Sequence, residues 1–478
     1  MTKEAPAGAS FVPVPRIFPL PPPPLLPGPD LPHGAHCNLD RQGEPGMTTV
    51  YKFGGASIQD AAAIRHLGEV LATTRERPLV VVVSAMGKTT NALEALLAAA
   101  RSDDDRDYRS RLDELRSAHL ATVDALFGDR KATVAERVEA LFEELDHRHR
   151  THRREPRPFH YDQTICFGEL LSTTIVAAWL NASGTATDWH DARELIVTDA
   201  HHQAANIDWQ ATGAKVRSLD LGSGRLLITQ GFIGGTPDGV STTLGREGSD
   251  FSAAIFAHCL GAGELVIWKD VPGLFNADPR RFDNAVQLQR LSYDEAIELA
   301  WHGAKVIHPK TLAPLREQGI PLKVRSFEEL GAPPSVISAE GASAATPAFI
   351  LAEEQALLEL RPRDFSFMDE ARQHDILGRL VEAGVHANLI DSGATRLSLC
   401  LDAHPTRLEP LVEALAADYA LERHDDLTLL TVRHPTEPLV EALSGNREIL
   451  AERRNRDTAQ RLFHSRECSE TWHIPEGR

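Results

Sequence analysis

The sequence has few cysteines, no excess of positive charge and no long apolar run. Its five cysteines, at positions 37, 166, 259, 400 and 468, are far apart in the 478-residue chain and form no CxxC pair. This argues against a disulfide framework and predicts reduced thiols in a cytoplasmic protein. No apolar run approaches the roughly 20 residues that span a bilayer. The N-terminus lacks a basic segment followed by an apolar one, so we expect neither a membrane span nor a secretory signal.

The balance of charge is acidic. The chain has 50 Lys and Arg against 68 Asp and Glu, a formal net charge of −18. Such a surface argues against broad nucleic-acid binding, which needs a basic stripe. It leaves room for an anionic ligand, because local lysines and backbone amides set the field inside a pocket. The apolar fraction of 42% is ordinary for a globular protein, and the length allows two to four domains.

Residues 1–46 differ from the rest of the chain. They contain twelve of the thirty prolines, including Pro21 to Pro24, which disfavours helix and internal sheet and predicts an extended segment. Met47 then precedes an apolar strand. We interpret residues 1–46 as a dispensable extension that could arise from a misassigned start site; the alternative is a proline-rich docking tail.

Residues 47–332 alternate strands with helices. The strands are apolar without alternation, which predicts a mostly parallel sheet with helices on both faces, an αβα sandwich. Ligands of such sheets bind at the carboxyl ends of the strands. Gly-rich loops follow Phe53, Val83, Ile228 and Trp268, so we expect one shared site there. The strands are predicted at 50–53, 79–83, 226–228, 265–268 and 322–324, and the helices at 61–73, within 91–146, at 170–180 and from the Ser292–Glu295 capping box to Trp301.

The pattern changes after Pro333-Pro334 and the small-residue run 335–347, which we interpret as a linker. The order strand, helix, strand, strand, helix, strand over 350–426 predicts a ferredoxin-like unit. A second, partial unit of the same kind is predicted over 427–470. The predicted strands lie at 355–360, 386–390, 396–401, 420–423, 427–432 and 460–463, and the helices at 368–382, 408–416 and 437–443.

The segment from Gly231 to Asp250 is the most informative in the chain. A Gly-rich loop that leads into a helix N-terminus binds anions, because backbone N–H groups and the helix dipole face the ligand. Arg246, Ser249 and Asp250 lie at the helix end of this loop. Arg246 is suited to bidentate capture of a carboxylate. Asp250 is either a capping charge or a group that orients a lysine.

Two lysines in Gly-rich settings complete a candidate phosphoryl-transfer site. Lys52 precedes Gly54 and Gly55, whose N–H groups could face a phosphate, although Gly-Gly after a strand is often only a tight turn. Lys305 follows a predicted helix and could equally be a solvent-exposed lysine. The segment Ser84–Thr90 is not a P-loop, because Val82 stands where that motif needs glycine.

Two further segments carry candidate binding residues. Glu169 begins an apolar helix, where a carboxylate either complements the dipole or pairs with a ligand ammonium. The segment 269–280 is typical of a nucleotide-base loop, in which Asp270 could bind a hydroxyl and Phe275 could stack on a ring. It could instead be an irregular turn rich in Asp and Pro. His308, before a proline, is predicted to be structural.

Taken together, these segments resemble the aspartokinases of the amino acid kinase family. The C-terminal part resembles the tandem ACT regulatory domains of that family, and is the less specific half of the match. Six modest motifs in the right order carry the resemblance: Lys52-Phe-Gly-Gly-Ala-Ser57, Ser84 to Asn91, Phe167-Gly-Glu-Leu-Leu-Ser172, Gly231 to Asp250, Lys269 to Arg280 and Gly303 to Pro309.

The resemblance implies a role for each matched residue. Lys52 and Lys305 would neutralise the β- and γ-phosphates of ATP, and Asp250 would hold the lysines. Glu169 and Arg246 would bind the ammonium and α-carboxylate of aspartate. The remaining matched residues would lie near the substrate (Ser57, Ser249) or near the nucleotide (Gly54, Gly55, Lys269, Asp270, Phe275, Asp278, Arg280).

This sequence departs from the family pattern at four positions. Ala56 stands where the family usually has Thr, and Glu247 replaces a common Gly. Lys269 and Phe275 stand where many members have Thr and Tyr. None of these changes removes a charged catalytic group, so the resemblance still implies an active enzyme.

The implied reaction is ATP-dependent phosphorylation of the β-carboxylate of L-aspartate to 4-phospho-L-aspartate. This is the first step towards lysine, threonine and methionine. Mg²⁺ would be held by phosphate oxygens and water, without protein ligands. Lysine or threonine would be the effector, at a rim formed by Asn388, Leu389, Ile390, Asp391 and Ser392. The enzyme would be a homodimer without nucleic-acid or membrane partners.

Two alternative functions remain. One is a kinase for glutamate or N-acetylglutamate. The other is a catalytically weak amino-acid sensor, against which the intact Lys52, Asp250 and Lys305 argue.

Overall fold

The computed structural model describes residues 48–73, 78–102, 104–222, 224–304, 307–341, 346–364, 366–468 and 470–475. Two predictions fall outside these ranges. They are the extended conformation of residues 1–46 and the position of Lys305.

An eight-stranded sheet forms the first part of the chain. Its strand order is β10-β12-β11-β7-β1-β2-β4-β3, and all neighbouring strands are parallel except β11 and β12. The mostly parallel sheet predicted from the apolar strands is therefore confirmed. Its strands are β1 (Thr49–Phe53), β2 (Leu79–Val83), β3 (Thr187–His190), β4 (Leu226–Gln230), β7 (Glu264–Lys269), β10 (Arg290–Leu291), β11 (Leu322–Ser326) and β12 (Ser335–Ile337); β5 (Ile233–Gly235) with β6 (Ser241–Thr243) and β8 (Leu274–Phe275) with β9 (Gln287–Leu288) form two small hairpins.

Helices cover both faces of this sheet. Successive strand residues point to opposite sides, so Val50 and Val80 join one apolar cluster while Tyr51 and Val81 join the other. The first cluster is completed by α8 to α11 and the second by α1 to α4 with α6. The helices are α1 (Ala61–Thr73), α2 (Thr89–Arg101), α3 (Asp105–Phe127), α4 (Ala132–His152), α5 (Arg157–Ile165), α6 (Phe167–Ala182), α7 (Ala192–Leu195), α8 (Trp209–Arg217), α9 (Gly248–Leu260), α10 (Tyr293–Trp301) and α11 (Pro309–Gln318).

One helical segment is more apolar than the sequence analysis allowed. Residues 157–182, which comprise α5 and α6, are long and apolar enough by composition to cross a membrane. Within the described structure, however, 72% of the apolar window is buried against other parts of the chain. This burial is the pattern of a core helix, because the segment lies between the sheet and the outer helices α2 to α4.

An antiparallel six-stranded sheet forms the C-terminal part, in the order β14-β15-β13-β16-β18-β17. The first four strands with α12 and α13 have the predicted ferredoxin-like arrangement. The elements are β13 (Ala348–Pro362), α12 (Glu370–Ala383), β14 (Ala387–Ser392), β15 (Leu397–Asp402), α13 (Pro405–Asp418), β16 (Tyr419–Arg433), α14 (Glu437–Ser444), β17 (Ala451–Arg454) and β18 (Thr458–His464).

The division of this sheet differs from the prediction. The two strands predicted at 420–423 and 427–432 are one continuous strand, β16, which pairs along its length with the equally long β13. The predicted break coincides with Asp426, which has φ 55°, and with irregular pairing around Gln355. Both long strands therefore extend through the two units, which share a single sheet.

The predicted linker over 335–347 is partly wrong. Residues 335–337 form β12, which pairs with β10 and β11 at the edge of the first sheet. A strand of three residues is too short to give a periodic pattern, so the prolines before it and the small residues after it suggested a linker.

A buried ion pair joins α10, a helix that packs on the first sheet, to β16 of the second sheet. Ser292 accepts a hydrogen bond from Glu295 N and begins α10, as the predicted capping box requires. The carboxylate of Glu295 does not return to the cap, however. It accepts two hydrogen bonds from the guanidinium of Arg433 on β16, at 2.8 and 3.3 Å, and lies 3.0 Å from His434 Nε2. The side chains of Glu295 and Arg433 are only 9% and 8% exposed.

We expect Arg433→Met to lower the free energy of unfolding by about 3 kcal/mol, because it leaves the Glu295 carboxylate buried without its charge partner. Urea denaturation measures the change. Adding Glu295→Gln to this variant should recover part of the loss, since the unpaired charge is then gone. The control is Arg316→Ala, which breaks the exposed Arg316–Asp294 pair and should cost less than about 1 kcal/mol. Equal effects of the two arginine substitutions would contradict the prediction.

Candidate functional site

The loops that carry the predicted site residues meet at one edge of the first sheet. Strands β7, β1, β2 and β4 are neighbours and parallel. The register places Phe53 opposite both Val83 and Trp268, and Val83 opposite Gln230. The Gly-rich loops that follow these strands therefore begin at the same level, as the sequence analysis predicted.

Lys52 and Asp250 form an ion pair at this edge. Lys52 Nζ lies 2.6 Å from Asp250 Oδ1, and both side chains are almost buried, at 11% and 6% exposure. Burial by itself raises the pKa of Asp250, but the charges of Lys52 and Lys269 outweigh it and bring that pKa below its ordinary value. Asp250 is therefore ionised at neutral pH and holds a lysine, which is the second of the two roles considered for it.

Glu169 is a buried carboxylate, and one of its oxygens has no partner within the described ranges. It lies in the first turn of α6, and its Oε1 accepts a hydrogen bond from Ala85 N at 3.1 Å. Its Oε2 is buried and has no hydrogen-bond partner among the residues that the structure describes. Burial raises the pKa of Glu169 to about 8, against the hydrogen bond from Ala85 and the charge of Lys52. The burial and the raised pKa of this carboxylate suit a group that binds the cationic part of a ligand.

Close backbone approach explains two of the glycines. A Cβ at Gly55 would lie 2.7 Å from the carbonyl oxygen of Ala85, so a larger residue would push the β1 and β2 loops apart. A Cβ at Gly231 would lie 2.6 Å from Cβ of Ser249, at the start of α9. Real contacts are not this short, so both loops can reach their positions only with glycine.

The turn before α9 presents Arg246 to solvent. Arg246 is exposed and has no ion pair within the described parts of the chain. The next residue, Glu247, has φ 52°, a left-handed conformation that non-glycine residues rarely adopt. Its carboxylate accepts a hydrogen bond from His308 N at 2.9 Å, which helps to hold this turn. The left-handed backbone at this position explains why the family usually has glycine there.

A buried acid that sequence reasoning missed supports the same turn. Asp162 on α5 accepts hydrogen bonds from Thr243 Oγ1 at 2.7 Å and from Gln203 N at 3.2 Å, and lies 2.7 Å from His202 Nδ1. Thr243 ends β6, three residues before Arg246. No local pattern marks Asp162, because its partners are 40 to 81 residues away in the sequence.

Gln230 is a second residue that sequence reasoning missed. Its side chain is fully buried at the end of β4, where it donates to Thr173 Oγ1 and accepts from Ala192 N, both at 2.7 Å. It joins the strand end to α6, the helix that carries Glu169. The one available signal was a polar residue at the end of an apolar strand run.

The residues predicted to lie near the nucleotide follow β7. Lys269 is the last residue of that strand and acts electrostatically on Asp250. Asp278 and Arg280 form an exposed ion pair at 2.9 Å, and Asp270 contributes to the field at Arg280. Phe275 is half-buried in the β8–β9 hairpin. Lys269, at the carboxyl end of β7, therefore lies at the same sheet edge as the Lys52–Asp250 pair, and Asp270 directly follows it.

The remaining predicted substrate residues have different exposure. Ser57 is buried and its N–H donates to Gly54 O at 3.1 Å, which closes the turn after β1. Ser249 is partly exposed in the first turn of α9. His308 Nδ1 accepts from Lys310 N at 3.1 Å and caps α11, so its predicted structural role is confirmed.

The predicted effector rim lies on β14, an edge strand of the second sheet. Asn388 Nδ2 donates to Gln355 Oε1 and Asp402 Oδ1, and its carbonyl oxygen accepts from Gln460. Leu389 is buried, whereas Ile390, Asp391 and Ser392 are exposed. The rim is therefore at the surface, beside a polar cluster that crosses the sheet.

Among the described residues, no group of three or more His, Cys, Asp or Glu could hold a metal ion. The four cysteines within the described ranges are buried and unbonded to each other. Among the described residues, the charged groups at this edge include the Lys52–Asp250 pair, Lys269, the Glu169 carboxylate and the exposed Arg246.

Comparison with known proteins gives the same family for sequence and structure. The amino acid kinase family matches residues 47–326. The chain is 31% identical over 392 residues to the chloroplastic bifunctional aspartokinase/homoserine dehydrogenase 2 of Arabidopsis thaliana, covering 78% of this chain but 42% of that protein. It is 30% identical to lysine-sensitive aspartokinase 3 of Escherichia coli, covering 74% of this chain and 78% of that protein.

A solved structure matches over both sheets. The crystal structure of E. coli aspartokinase III in complex with aspartate and ADP has a TM-score of 0.75 and 26% identity, covering 88% of this chain and 98% of that one. The chain spans less than half the length of the bifunctional plant relatives that it matches.

Proposed function

Since this chain belongs to the amino acid kinase family, and within it to the aspartokinases, we propose that it transfers the γ-phosphoryl group of ATP to the β-carboxylate of L-aspartate. The observation that carries the proposal is the buried Oε2 of Glu169, which has no partner among the described residues, beside the Lys52–Asp250 pair. A buried acid that lacks a partner and a buried lysine at one sheet edge suit an amino acid and a phosphate held side by side.

The substrate would be held by its two α-substituents. The ammonium pairs with Glu169, whose ionised form is then favoured by the new charge. The α-carboxylate pairs with Arg246, which offers a planar, bidentate group. Asp162 holds this turn through its hydrogen bond from Thr243. The backbone at Arg246 is therefore held in place, although the arginine side chain is exposed.

The reaction needs no general base. A β-carboxylate has a pKa of about 4 and is ionised at neutral pH. One of its oxygens forms a bond to the γ-phosphorus as the bond from that phosphorus to the β–γ bridging oxygen breaks, and ADP leaves. The obstacle is repulsion between the carboxylate and the phosphates. Lys52, loop amides and Lys305 would offset that repulsion, and the ion pair with Asp250 would hold Lys52 in place.

Mg²⁺ would supply further charge neutralisation at the phosphates. The ion would be held by phosphate oxygens and water. Lys269, Asp270 and Phe275 would border the nucleotide, with the Asp278–Arg280 pair at the rim.

Regulation through the second sheet is part of the proposal. The E. coli relative is named lysine-sensitive, and one structure of E. coli aspartokinase III holds lysine and aspartate. We propose lysine or threonine as the effector, the exposed β14 residues as part of its site, and a cytoplasmic homodimer as the working form. The product would enter synthesis of lysine, threonine and methionine.

A hydroxylamine trap for acyl phosphate tests the proposed reaction. With ATP and Mg²⁺ we expect a hydroxamate signal with L-aspartate and none with L-glutamate or N-acetyl-L-glutamate. Parallel reactions with lysine or threonine identify the effector by suppression. A signal with another acid alone would overturn the substrate assignment, and silence with all three from folded protein that binds ATP would overturn the reaction.

A further inference from the structure

A cavity of about 620 Å³ lies between α10 and the second sheet. One wall comes from the end of α10, with Trp301 and His302, and the other comes from Arg433 and the β17–β18 hairpin, with Arg453 and Arg456. This volume is in the usual range for sites of small organic ligands. None of the candidate active-site residues lines it, so it is a separate site.

Two arginines of the cavity wall carry unpaired charge. The charge of Arg433 is offset by Glu295 and by Glu298, whose Oε2 lies 3.3 Å from Arg433 Nη1. Arg453 and Arg456 have no ion pair within the described ranges, although the chain has a net charge of −18. Their neighbour Arg454 is different, because it pairs with Glu437.

The hairpin that carries these arginines is ordered by its own turn. Asn455 Oδ1 accepts hydrogen bonds from Asp457 N at 2.9 Å and Thr458 N at 2.7 Å. Asn455 N donates to Thr458 O at 2.9 Å. Thr458 Oγ1 in turn accepts from Arg433 Nη1 at 2.7 Å. The turn is therefore tied to the buried wall of the cavity, and Arg456 extends from a fixed backbone.

The opposite wall offers an aromatic ring and a neutral imidazole. Trp301 is 57% exposed, and its contact with His386 is edge-to-face at 4.7 Å, which leaves ring surface uncovered. Burial, together with the charges of Arg433 and Arg453, lowers the pKa of His302 to about 4. His302 is therefore neutral at pH 7, where it can donate or accept a hydrogen bond.

We propose that this cavity binds a small organic anion in which a carboxylate or phosphate is joined to a planar ring. The acidic group lies between Arg453 and Arg456, whose guanidinium groups suit bidentate contact with either oxyanion. The ring packs on Trp301. Since α10 forms one wall of the cavity and Arg433 with the β17–β18 hairpin forms the other, such a ligand contacts α10 and the second sheet at once.

Isothermal titration calorimetry on the full chain tests this site, with saturating ADP and L-aspartate so that the catalytic site is occupied. The probes are phenyl phosphate, benzoate and inorganic phosphate. We expect at least one ring-bearing probe to bind more tightly than inorganic phosphate, and the comparison of phenyl phosphate with benzoate distinguishes the two acidic groups. Arg453→Ala with Arg456→Ala should weaken binding by at least about tenfold.

Matched variants separate the site from general charge effects. Arg454→Ala removes an equal charge from the same strand but should leave binding unchanged. Trp301→Leu should weaken the ring-bearing probes and leave inorganic phosphate unaffected. Absence of binding by both ring-bearing probes, or equal binding by the double variant, would overturn the proposal. The titration does not use the kinase rate, so its failure is distinct from failure of the proposed reaction.

Discussion

Replacing Lys52 with Met is expected to lower kcat by at least about 100-fold, with a smaller effect on the KM for aspartate. Removing one preorganised charge from a site that stabilises developing charge costs about 10²–10³ in kcat. Here the loss has a second component. Asp250 lies 2.6 Å from Lys52 and would keep a buried negative charge near the phosphates once its partner is gone.

A second substitution separates the two components. Adding Asp250→Asn to Lys52→Met removes the unpaired carboxylate, so the double variant should be no less active than the single one. Steady-state kinetics with the hydroxylamine trap measures both. The control is Lys323→Met, which makes the same change on β11 of the same sheet, where Lys323 pairs with Glu264. If Lys52→Met and Lys323→Met had the same kcat, the assignment of Lys52 would be wrong.

Glu169→Gln is expected to raise the KM for aspartate by about 30- to 1000-fold, corresponding to about 2–4 kcal/mol. The carboxylate is buried, and its Oε2 has no partner among the described residues. A glutamine keeps the hydrogen bond from Ala85 N but cannot supply the charge that an ammonium requires. Glu139→Gln is the control, since Glu139 pairs with Arg116 on the outer helices away from the sheet edge.

The same residue makes aspartate binding depend on pH. In the ligand-free protein the pKa of Glu169 is about 8, so at pH 7 most molecules carry a protonated Glu169. An ammonium favours the ionised form, so binding at pH 7 releases a proton. Aspartate affinity should therefore rise from pH 6 to about 8. Calorimetry in buffers of different ionisation enthalpy measures the proton, which Glu169→Gln should not release; an equal release by the variant would contradict the assignment.

The stability of the ligand-free protein should fall as the pH rises, whereas the affinity for aspartate should increase. The folded pKa of Glu169 lies above its ordinary value of 4.5. The neutral form therefore contributes fully to the free energy of unfolding below about pH 4.5. That contribution is lost as the pH rises through about 8. The Gln variant lacks this loss, so the difference in melting temperature between the two proteins should grow with pH across that window.

Sequence periodicity predicted most of the first sheet because its information is local. A short, β-branched apolar run such as Leu79–Val83 is typical of a strand buried on both faces, and the Gly-rich segment after it is typical of a loop. Parallel strands bring such loops together, so the shared edge followed from the sequence. Short strands such as β12 and β17 carry too few apolar residues for this signal, and both were missed.

The errors arose where a residue has two local interpretations. Asp425-Asp426 is typical of a turn, yet β16 continues through it because β13 pairs with it on both sides. Glu295 fitted a capping box, but its carboxylate binds Arg433, 138 residues away. In both cases a tertiary contact outweighed a local preference.

The sequence by itself determined which charged groups this protein brings to its sheet edge: Lys52, Glu169, Arg246 and Asp250 could be found from their loops and helix ends. Only the tertiary structure decided the protonation states of the two carboxylates among them. The ionised Asp250 and the largely protonated Glu169 differ because one is paired with a lysine and the other is buried with an unpartnered oxygen. The pairing of the two sheets through Glu295 and Arg433 was likewise beyond local pattern. Burial and charge pairing depend on distances between residues far apart in the chain, and those distances exist only in the folded protein.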